Sequence, residues 1–289
     1  MLEEKIIAEG KTKIIVDAKN DTPDFGCSTC KKVRIISKDD ITAGDGSSRE
    51  ILAGKAEACN TTAVNVFKLL KLKGIPTHFL KLYDERSFLA LHAEMIPLEV
   101  VTRRIATGSY LKRNPNVTEG YVFDMLEYEL FYKNDAWHDP IAQFHPTMGG
   151  YLDLYKADQP TGEGIDWLES IELLDNSGKT IDFDQMRIIA LQVFLILEDA
   201  WSALGLVLWD LKIEFGLVDD GLGGKRLVVA DVINNDEWRL REVSGKQLDK
   251  QVFRDAVRDG LTDEVLGDIS DNYIDIAKLS AYLPQMARI

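Results

Sequence analysis

Long apolar runs are missing from this sequence: the longest, Val193 to Leu197, is far short of the roughly 20 residues that cross a bilayer. No membrane helix is expected. Cysteine is scarce, with three in 289 residues. That count is odd, and Cys27-Ser-Thr-Cys30 has neither a second cysteine pair nor a histidine pair at zinc spacing. The thiols therefore read as reduced loop residues in preference to a zinc or redox centre. Proline is also sparse, 8 against 21 glycines, and collagen-like, disordered and small disulfide scaffolds are excluded. Basic residues are outnumbered, 34 Lys and Arg against 48 Asp and Glu for a formal charge of -14. Such an excess of acid opposes unspecific binding to nucleic acid or anionic membrane. The opening Met1-Leu-Glu-Glu-Lys5 has neither the basic start and apolar core of a secretory signal nor the Arg and Ser bias of a transit peptide. A cytoplasmic address is expected.

What is present is an ordinary globular composition, 45% hydrophobic and 28% charged, in a chain long enough to bury a core without a metal or disulfide staple. Short apolar alternations at 5–8, 13–17 and 33–37, separated by turn signals at 9–10 and 20–26, predict an antiparallel meander. Ala63, Phe67 and Leu70 at helical spacing predict a helix over 56–72, stopped by Gly74 and Pro76. Further strands are expected near 77–83, 88–92 and 99–105. The stretch 140–182 has weak periodicity and reads as an irregular excursion, either a lid or an insertion. Asp182 and Gln185 make a capping box for a helix whose apolar positions run from Met186 to Leu204, ending at Gly205.

The most informative stretch is 207–215. Val207, Trp209, Leu211, Ile213 and Phe215 alternate with Leu208, Asp210, Lys212 and Glu214, which predicts a strand with one apolar face and one charged face. Three ionisable side chains then lie along one face about 7 Å apart, twice the strand rise. The turn cluster Asp219-Asp-Gly-Leu-Gly-Gly224 and a second strand over 226–233 complete a hairpin, which sets Glu214 and Asp231 opposite each other or nearly so. Facing carboxylates repel, and Asp231 sits within Leu-Val-Val-Ala-Asp-Val-Ile, where an unpaired anion is costly to bury. A hard divalent cation, Mg²⁺, resolves both costs. A salt bridge to Lys212 or a solvated edge is the alternative.

Glu9-Gly-Lys-Thr-Lys13 puts a glycine and two lysines at a strand turn suited to a phosphate chain, but it lacks the glycine at position 5 that a Walker loop needs. Taken alone, an exposed turn accounts for it better than a phosphate site, and Ala43-Gly-Asp-Gly46 is equally ambiguous. Arg103, Arg104, Lys112 and Arg113 surround Thr107-Gly-Ser109 and suit a phosphate ester, unless surface carboxylates take them up. Arg239 could bring another cation to the Asp231 region. His138 is a weak general-base candidate, and Trp201, Trp209 and Trp238 read as packing.

In this order the segments resemble the SAICAR synthetase family. The resemblance rests on Glu9 to Lys13, Thr42 to Gly46, Glu94-Met-Ile-Pro-Leu-Glu99, Arg103 to Ser109 with Lys112-Arg113, Lys133 to Pro140, Asp210-Leu-Lys-Ile-Glu-Phe-Gly216, Ala230-Asp231 with Asp236 and Arg239, and Leu248 to Arg254. It implies an α+β fold, with a small β-rich nucleotide subdomain over 1–93 and a larger α+β portion over 94–289. The ATP cleft lies between them, distantly kinase-like or ATP-grasp-like. It also implies a ligase that joins L-aspartate to the carboxylate of carboxyaminoimidazole ribonucleotide (CAIR), with ADP and phosphate released. By position, Lys11, Lys13, Met95 and Lys133 hold ATP, and Glu214 and Asp231 hold Mg²⁺ beside it. Arg103, Ser109 and Arg239 grip the ribonucleotide phosphate, while Asp210 and Lys212 are catalytic. The Cys27 to Cys30 insertion and the 146–182 excursion depart from the family pattern. Some members are fused to a carboxylase; about 35 residues past Arg254 are too few for one, so a single activity is expected, with a homodimer left open. A kinase lacks its His-Arg-Asp and Asp-Phe-Gly signatures here, and a nucleotide sensor has no need of the Arg103 to Arg113 cluster.

Overall fold

The structure is a computed structural model describing residues 5–18, 30–160 and 167–287. In chain order its elements are β1 (Ile6–Glu9), β2 (Lys13–Asp17), β3 (Lys32–Ser37), β4 (Asp40–Ala43), β5 (Ser48–Ile51), α1 (Lys55–Leu72), β6 (Phe79–Asp84), β7 (Ser87–Leu91) and β8 (Glu94–Ile105). There follow α2 (Ser109–Arg113), β9 (Val122–Tyr132), β10 (Ile141–Phe144), β11 (Tyr151–Tyr155), β12 (Trp167–Glu172) and α3 (Phe183–Ser202). The last are β13 (Leu206–Asp219), β14 (Lys225–Ala230), β15 (Trp238–Glu242), α4 (Gln251–Asp259), α5 (Asp263–Ser280) and α6 (Leu283–Met286). The class is α+β. A five-stranded antiparallel sheet runs β1-β2-β3-β7-β6, and an eight-stranded one runs β12-β11-β10-β9-β8-β13-β14 with β15 also on β13. Among the described residues no helix is long and apolar enough to cross a membrane.

One apolar core joins the two sheets. Phe67 and Leu70 of α1, Phe88 of β7, Leu98 and Val100 of β8, and Ile213 and Phe215 of β13 all belong to it. Helix α3 closes it from the far side with Met186, Val193, Leu197 and Trp201. The Asp182 carboxylate accepts from the Gln185 amide at 2.9 Å and so starts α3 as its N-cap. Trp201 and Trp238 pack edge to face, with 5.4 Å between centroids. Trp209 differs, being half-buried with the Arg241 guanidinium stacked 3.5 Å over its ring.

Three expectations need correction. The stretch 140–182 is not irregular: β10, β11 and β12 continue the meander from β9, with Ala142 opposite Leu154 and Leu154 opposite Glu169. These strands are short, and β12 buries none of its residues fully, so no clean apolar alternation marks it. The hairpin register is displaced by one residue. Glu214 faces Ala230, and Asp231 lies just past the end of β14 with φ of 60°. As for the cysteines, Cys30 is disulfide-bonded, and Cys59 is a free thiol buried inside α1. Burial pushes that thiol up to about 12, although the Lys55 ammonium pulls against it. Cys27 lies outside the described residues.

Candidate active site

Strand β13 organises the site because it pairs with β8, β14 and β15. Its polar face carries Asp210, Lys212 and Glu214, and two cavities open along it. One, of about 250 Å³, includes Asp210 and Lys212 in its wall; the other, of about 320 Å³, includes Glu214. The face expected to be charged is neither solvated nor free, since Asp210 and Glu214 are only 4% and 6% exposed.

The larger of the two cavities is a half-apolar cleft between the sheets. Ile15, Val33, Ile35 and Met95 form its apolar side, and Lys13, Lys133, Glu214 and Asp231 its ionic side. Lys133 Nζ reaches both Glu214 oxygens at 2.8 Å, and Lys13 is ion-paired with Asp231. Burial and the nearby Asp231 anion raise the Glu214 pKa, with the neighbouring lysines opposing. Burial also works against the Asp231 anion, but Lys13 outweighs it and holds that carboxyl below its ordinary value. The left-handed backbone at Asp231 costs of order 1–3 kcal/mol in a non-glycine residue. It is pinned by His78, whose Nε2 lies 2.8 Å from the Asp231 carbonyl oxygen. Burial lowers the His78 pKa to about 4, so the ring is neutral at pH 7 and donates from Nε2. Gly216 keeps the cleft floor tight: a Cβ there would stand 2.8 Å from the Ala93 Cβ and 3.1 Å from the Glu94 carbonyl.

The other cavity rests on alternating arginines and carboxylates. Asp210 lies in register with Arg103 on β8 and with Arg239 on β15, and its carboxylate accepts from both guanidinium groups. Arg103 Nε donates to Glu129 at 2.7 Å, and Arg113 donates to the same Glu129. Three arginines thus share two carboxylates, a local excess of positive charge within an acidic protein. Lys212 reaches Glu99 at 2.8 Å and Glu237 at 3.0 Å. Burial opposes its charge, but Glu237 and Glu99 raise its pKa well above the usual lysine value, so Lys212 remains an ammonium.

Ser109 opens α2 just after Gly108. The Gly108 backbone has φ of +60°, and a Cβ there would come within 2.5 Å of Arg239 Nη2, so glycine is required beside that guanidinium. The basic cluster 103–113 does not form one cradle. Arg104 turns to Glu198 at 2.7 Å, and Lys112 is exposed. Lys11 is exposed too, its chain packed against Gly46, and it does not line the cleft. His138 lines a hollow of about 710 Å³ with Trp137 and Lys156, which shares no wall residue with the two cavities.

Several participants escaped sequence reasoning. Glu99 faces Glu214 directly across β8 and β13, and its period-two spacing from Val101 and Arg103 is the one available signal. Glu129 is two positions from Glu127 on β9, a spacing that places both on one face. Lys55 pairs with Asp236 at 2.8 Å, both nearly solvent-free, and the Tyr273 hydroxyl donates to the other Asp236 oxygen at 2.5 Å. These partners are too distant in sequence for any local pattern to join them.

A donor set of two oxygen anions, Glu214 and Asp231, that repel each other and border an open cleft fits a hard divalent cation completed by substrate oxygens. Among the described residues no cluster of three or more His, Cys, Asp or Glu could hold an ion unaided. The SAICAR synthetase family model matches residues 6–267. A phosphoribosylaminoimidazole-succinocarboxamide synthase of Roseiflexus sp. is 40% identical over 274 residues, covering 94% of each chain. A bifunctional carboxylase/succinocarboxamide synthetase of Drosophila melanogaster is 39% identical over 95% of this chain, which spans 57% of that longer protein. A solved SAICAR synthetase in complex with ADP aligns with a TM-score of 0.67 at 31% identity, over 93% of this chain and 97% of the other. With the cleft, the arginine-lined cavity and these likenesses in agreement, the chain belongs to the SAICAR synthetase family.

Proposed function

We propose that the protein joins L-aspartate to the carboxylate of CAIR at the expense of ATP, giving the succinocarboxamide, ADP and phosphate. The observation that carries this reading is the polar face of β13. It links a cleft of nucleotide character, with an apolar wall and lysine–carboxylate ion pairs, to a cavity with excess arginine charge. The unit 1–93 supplies most of the nucleotide side, and 94–289 supplies the rest.

Adenine lies against the apolar wall near the Met95 backbone, while Lys13 and Lys133 turn from their carboxylates to the phosphate chain, with Lys11 at its outer end. Glu214 and Asp231 hold Mg²⁺, which supplies charge neutralisation at the phosphates. Arg239, Ser109 and the remaining Arg103 N–H groups grip the ribonucleotide phosphate, with Asp210 fixing both guanidinium planes. Lys212, protonated throughout, steadies developing negative charge and does not act as a base.

A carboxylate is a poor electrophile. In the proposed route one CAIR carboxylate oxygen attacks the γ-phosphorus, the bond to the bridging oxygen breaks, and ADP leaves. The aspartate amine then adds to the acyl carbon, loses a proton, and phosphate departs with the carboxylate's oxygen. Alignment and charge stabilisation suffice, and no protein nucleophile is used. Incubation with ATP, Mg²⁺, aspartate and CAIR labelled with oxygen-18 in the carboxylate should give ADP, the amide and labelled phosphate. Absence of the amide overturns the activity, and unlabelled phosphate overturns the acyl-phosphate route alone.

A further inference from the structure

Arg113 belongs by sequence to the basic cluster that suits a phosphate, yet it is among the most buried side chains of the protein, 2% exposed. Neither Arg113 nor its partner Glu129 is in the wall of the 250 Å³ cavity; both line a separate hollow with Tyr110 and Asn114. The donors of Arg113 are spent inside the protein. Its Nη2 donates to Glu129 Oε1, its Nη1 donates to the Ala157 carbonyl at 2.6 Å, and its guanidinium lies 5.1 Å from the centre of the Phe131 ring. The other Glu129 oxygen, Oε2, accepts from Arg103 Nε at 2.7 Å. From this chain of contacts we infer that Arg113 and Glu129 are positioning residues for the phosphate grip. They touch no substrate, and they fix the plane of Arg103 and the seat of Ser109. The inference rests on the function proposed above.

Strand register alone does not orient Arg103. Its neighbours in register are Asp210 on β13 and Glu127 on β9, but its Nε passes Glu127 and donates to Glu129, two residues along. A guanidinium held at one nitrogen swings about its side-chain bonds, whereas one held at Nε and Nη1 together keeps a single plane. Asp210 supplies the Nη1 contact and Glu129 the Nε contact, which leaves Nη2 without an acceptor among the described residues. Glu129 can serve only if it is itself held, and Arg113 holds it by the second oxygen.

The same arginine ends α2, the single turn that Ser109 opens, so one side chain ties that turn to β9 and braces Arg103 through Glu129. Bidentate recognition of a phosphate depends on the angle at which each guanidinium is presented. The two charges of the Arg113–Glu129 pair cancel, so the pair adds orientation to the grip and little field.

The test replaces both members at once, Arg113→Met with Glu129→Leu, so that net charge is unchanged and only the bracing is lost. Replacing a buried ion pair by apolar side chains of similar size commonly leaves a protein folded. Calorimetric titration, with each ligand titrated alone, should show the Kd for CAIR raised about tenfold or more. The Kd for ATP, and that for the CAIR ribonucleoside, which lacks the phosphate, should stay within about threefold of the parent values. Arg113→Lys keeps the charge but reaches Glu129 or the Ala157 carbonyl and not both, so it should give an intermediate loss for CAIR; it carries the same comparison if the double variant does not fold. An unaltered Kd for CAIR, or an equal rise for ribonucleotide and ribonucleoside, shows that the pair only supports the fold and overturns this assignment alone. A parent protein that binds CAIR no more tightly than the ribonucleoside has no phosphate grip, which overturns the placement proposed above and this assignment with it.

Discussion

The two ends of the polar face of β13 solve the same problem differently. At Asp210, buried charge is balanced by arginines in register on adjacent strands, and Arg103 is only 3% exposed. At Glu214, balance comes from single lysines far apart in sequence, and the Lys133 side chain is 42% exposed. Arginine offers a rigid fork that fixes a carboxylate in one plane, whereas lysine is a point charge on a flexible stem. The first arrangement is scaffold as much as site. The second keeps two carboxylates neutralised by lysines that, in the proposed reading, an incoming phosphate would compete for.

The sharpest way to break this comparison is to neutralise each acid in turn. Asp210→Asn leaves Arg103 and Arg239 without their shared anion in a site with little water. Removing one partner of a buried ion pair costs about 3–5 kcal/mol, so denaturant unfolding should show a loss of that order, with activity lost alongside. A variant as stable as the parent would show that Glu129 alone suffices to hold Arg103.

Glu214→Gln should do the reverse. The Glu214 pKa is raised by burial and by Asp231, so its anion is a cost to the folded state at pH 7, and the isosteric amide removes that cost. Unfolding should be unchanged or slightly more difficult at pH 7, and any gain should vanish as pH falls and the parent carboxyl protonates. Turnover should fall at least a hundredfold, about 3 kcal/mol of barrier, because the proposed cation loses one of its two protein ligands. A variant that keeps turnover within threefold of the parent would refute the metal assignment.

The two ends were not equally legible in the sequence. Alternation alone places Asp210, Lys212 and Glu214 on one side of a strand, because side-chain direction depends only on local backbone geometry. Alternation says nothing of which strands lie alongside, so it leaves Arg103, Asp210 and Arg239 unconnected, and the family resemblance implies a phosphate grip of the two arginines without the Asp210 carboxylate that joins them. The hairpin was read to within one residue. The remaining error lies at Asp231, whose left-handed backbone takes it out of the ladder, a conformation no propensity announces for aspartate within an apolar run. The long helices α1 and α3 were readable because each buries a full stripe. The strands from Ile141 to Glu172 were not, because β10 and β11 are four and five residues long and bury consecutive positions while β12 buries none fully, so no alternation separates them from a loop.

His78 offers the finest test, since its hydrogen bond to the lysine-balanced end is made to the Asp231 carbonyl and not to either carboxylate. Burial lowers its pKa to about 4, below the unfolded value of about 6.5. The unfolded chain therefore binds the proton more readily between those values. Stability linked to His78 is complete above pH 6.5 and is lost as pH falls towards 4. Between pH 7 and pH 5 the loss should be on the order of 2 kcal/mol. Other groups titrate in the same range, notably Asp249, whose carboxyl burial pushes up to about 6, and it contributes with the opposite sign. The measurement is therefore the difference between the parent and His78→Gln, whose amide can still donate to the Asp231 carbonyl but does not titrate. Urea unfolding of both at pH 7 and pH 5 should show the parent losing stability relative to the variant on acidification. Parallel losses would mean that the imidazole is hydrated in solution and that its pKa is not lowered in the folded protein.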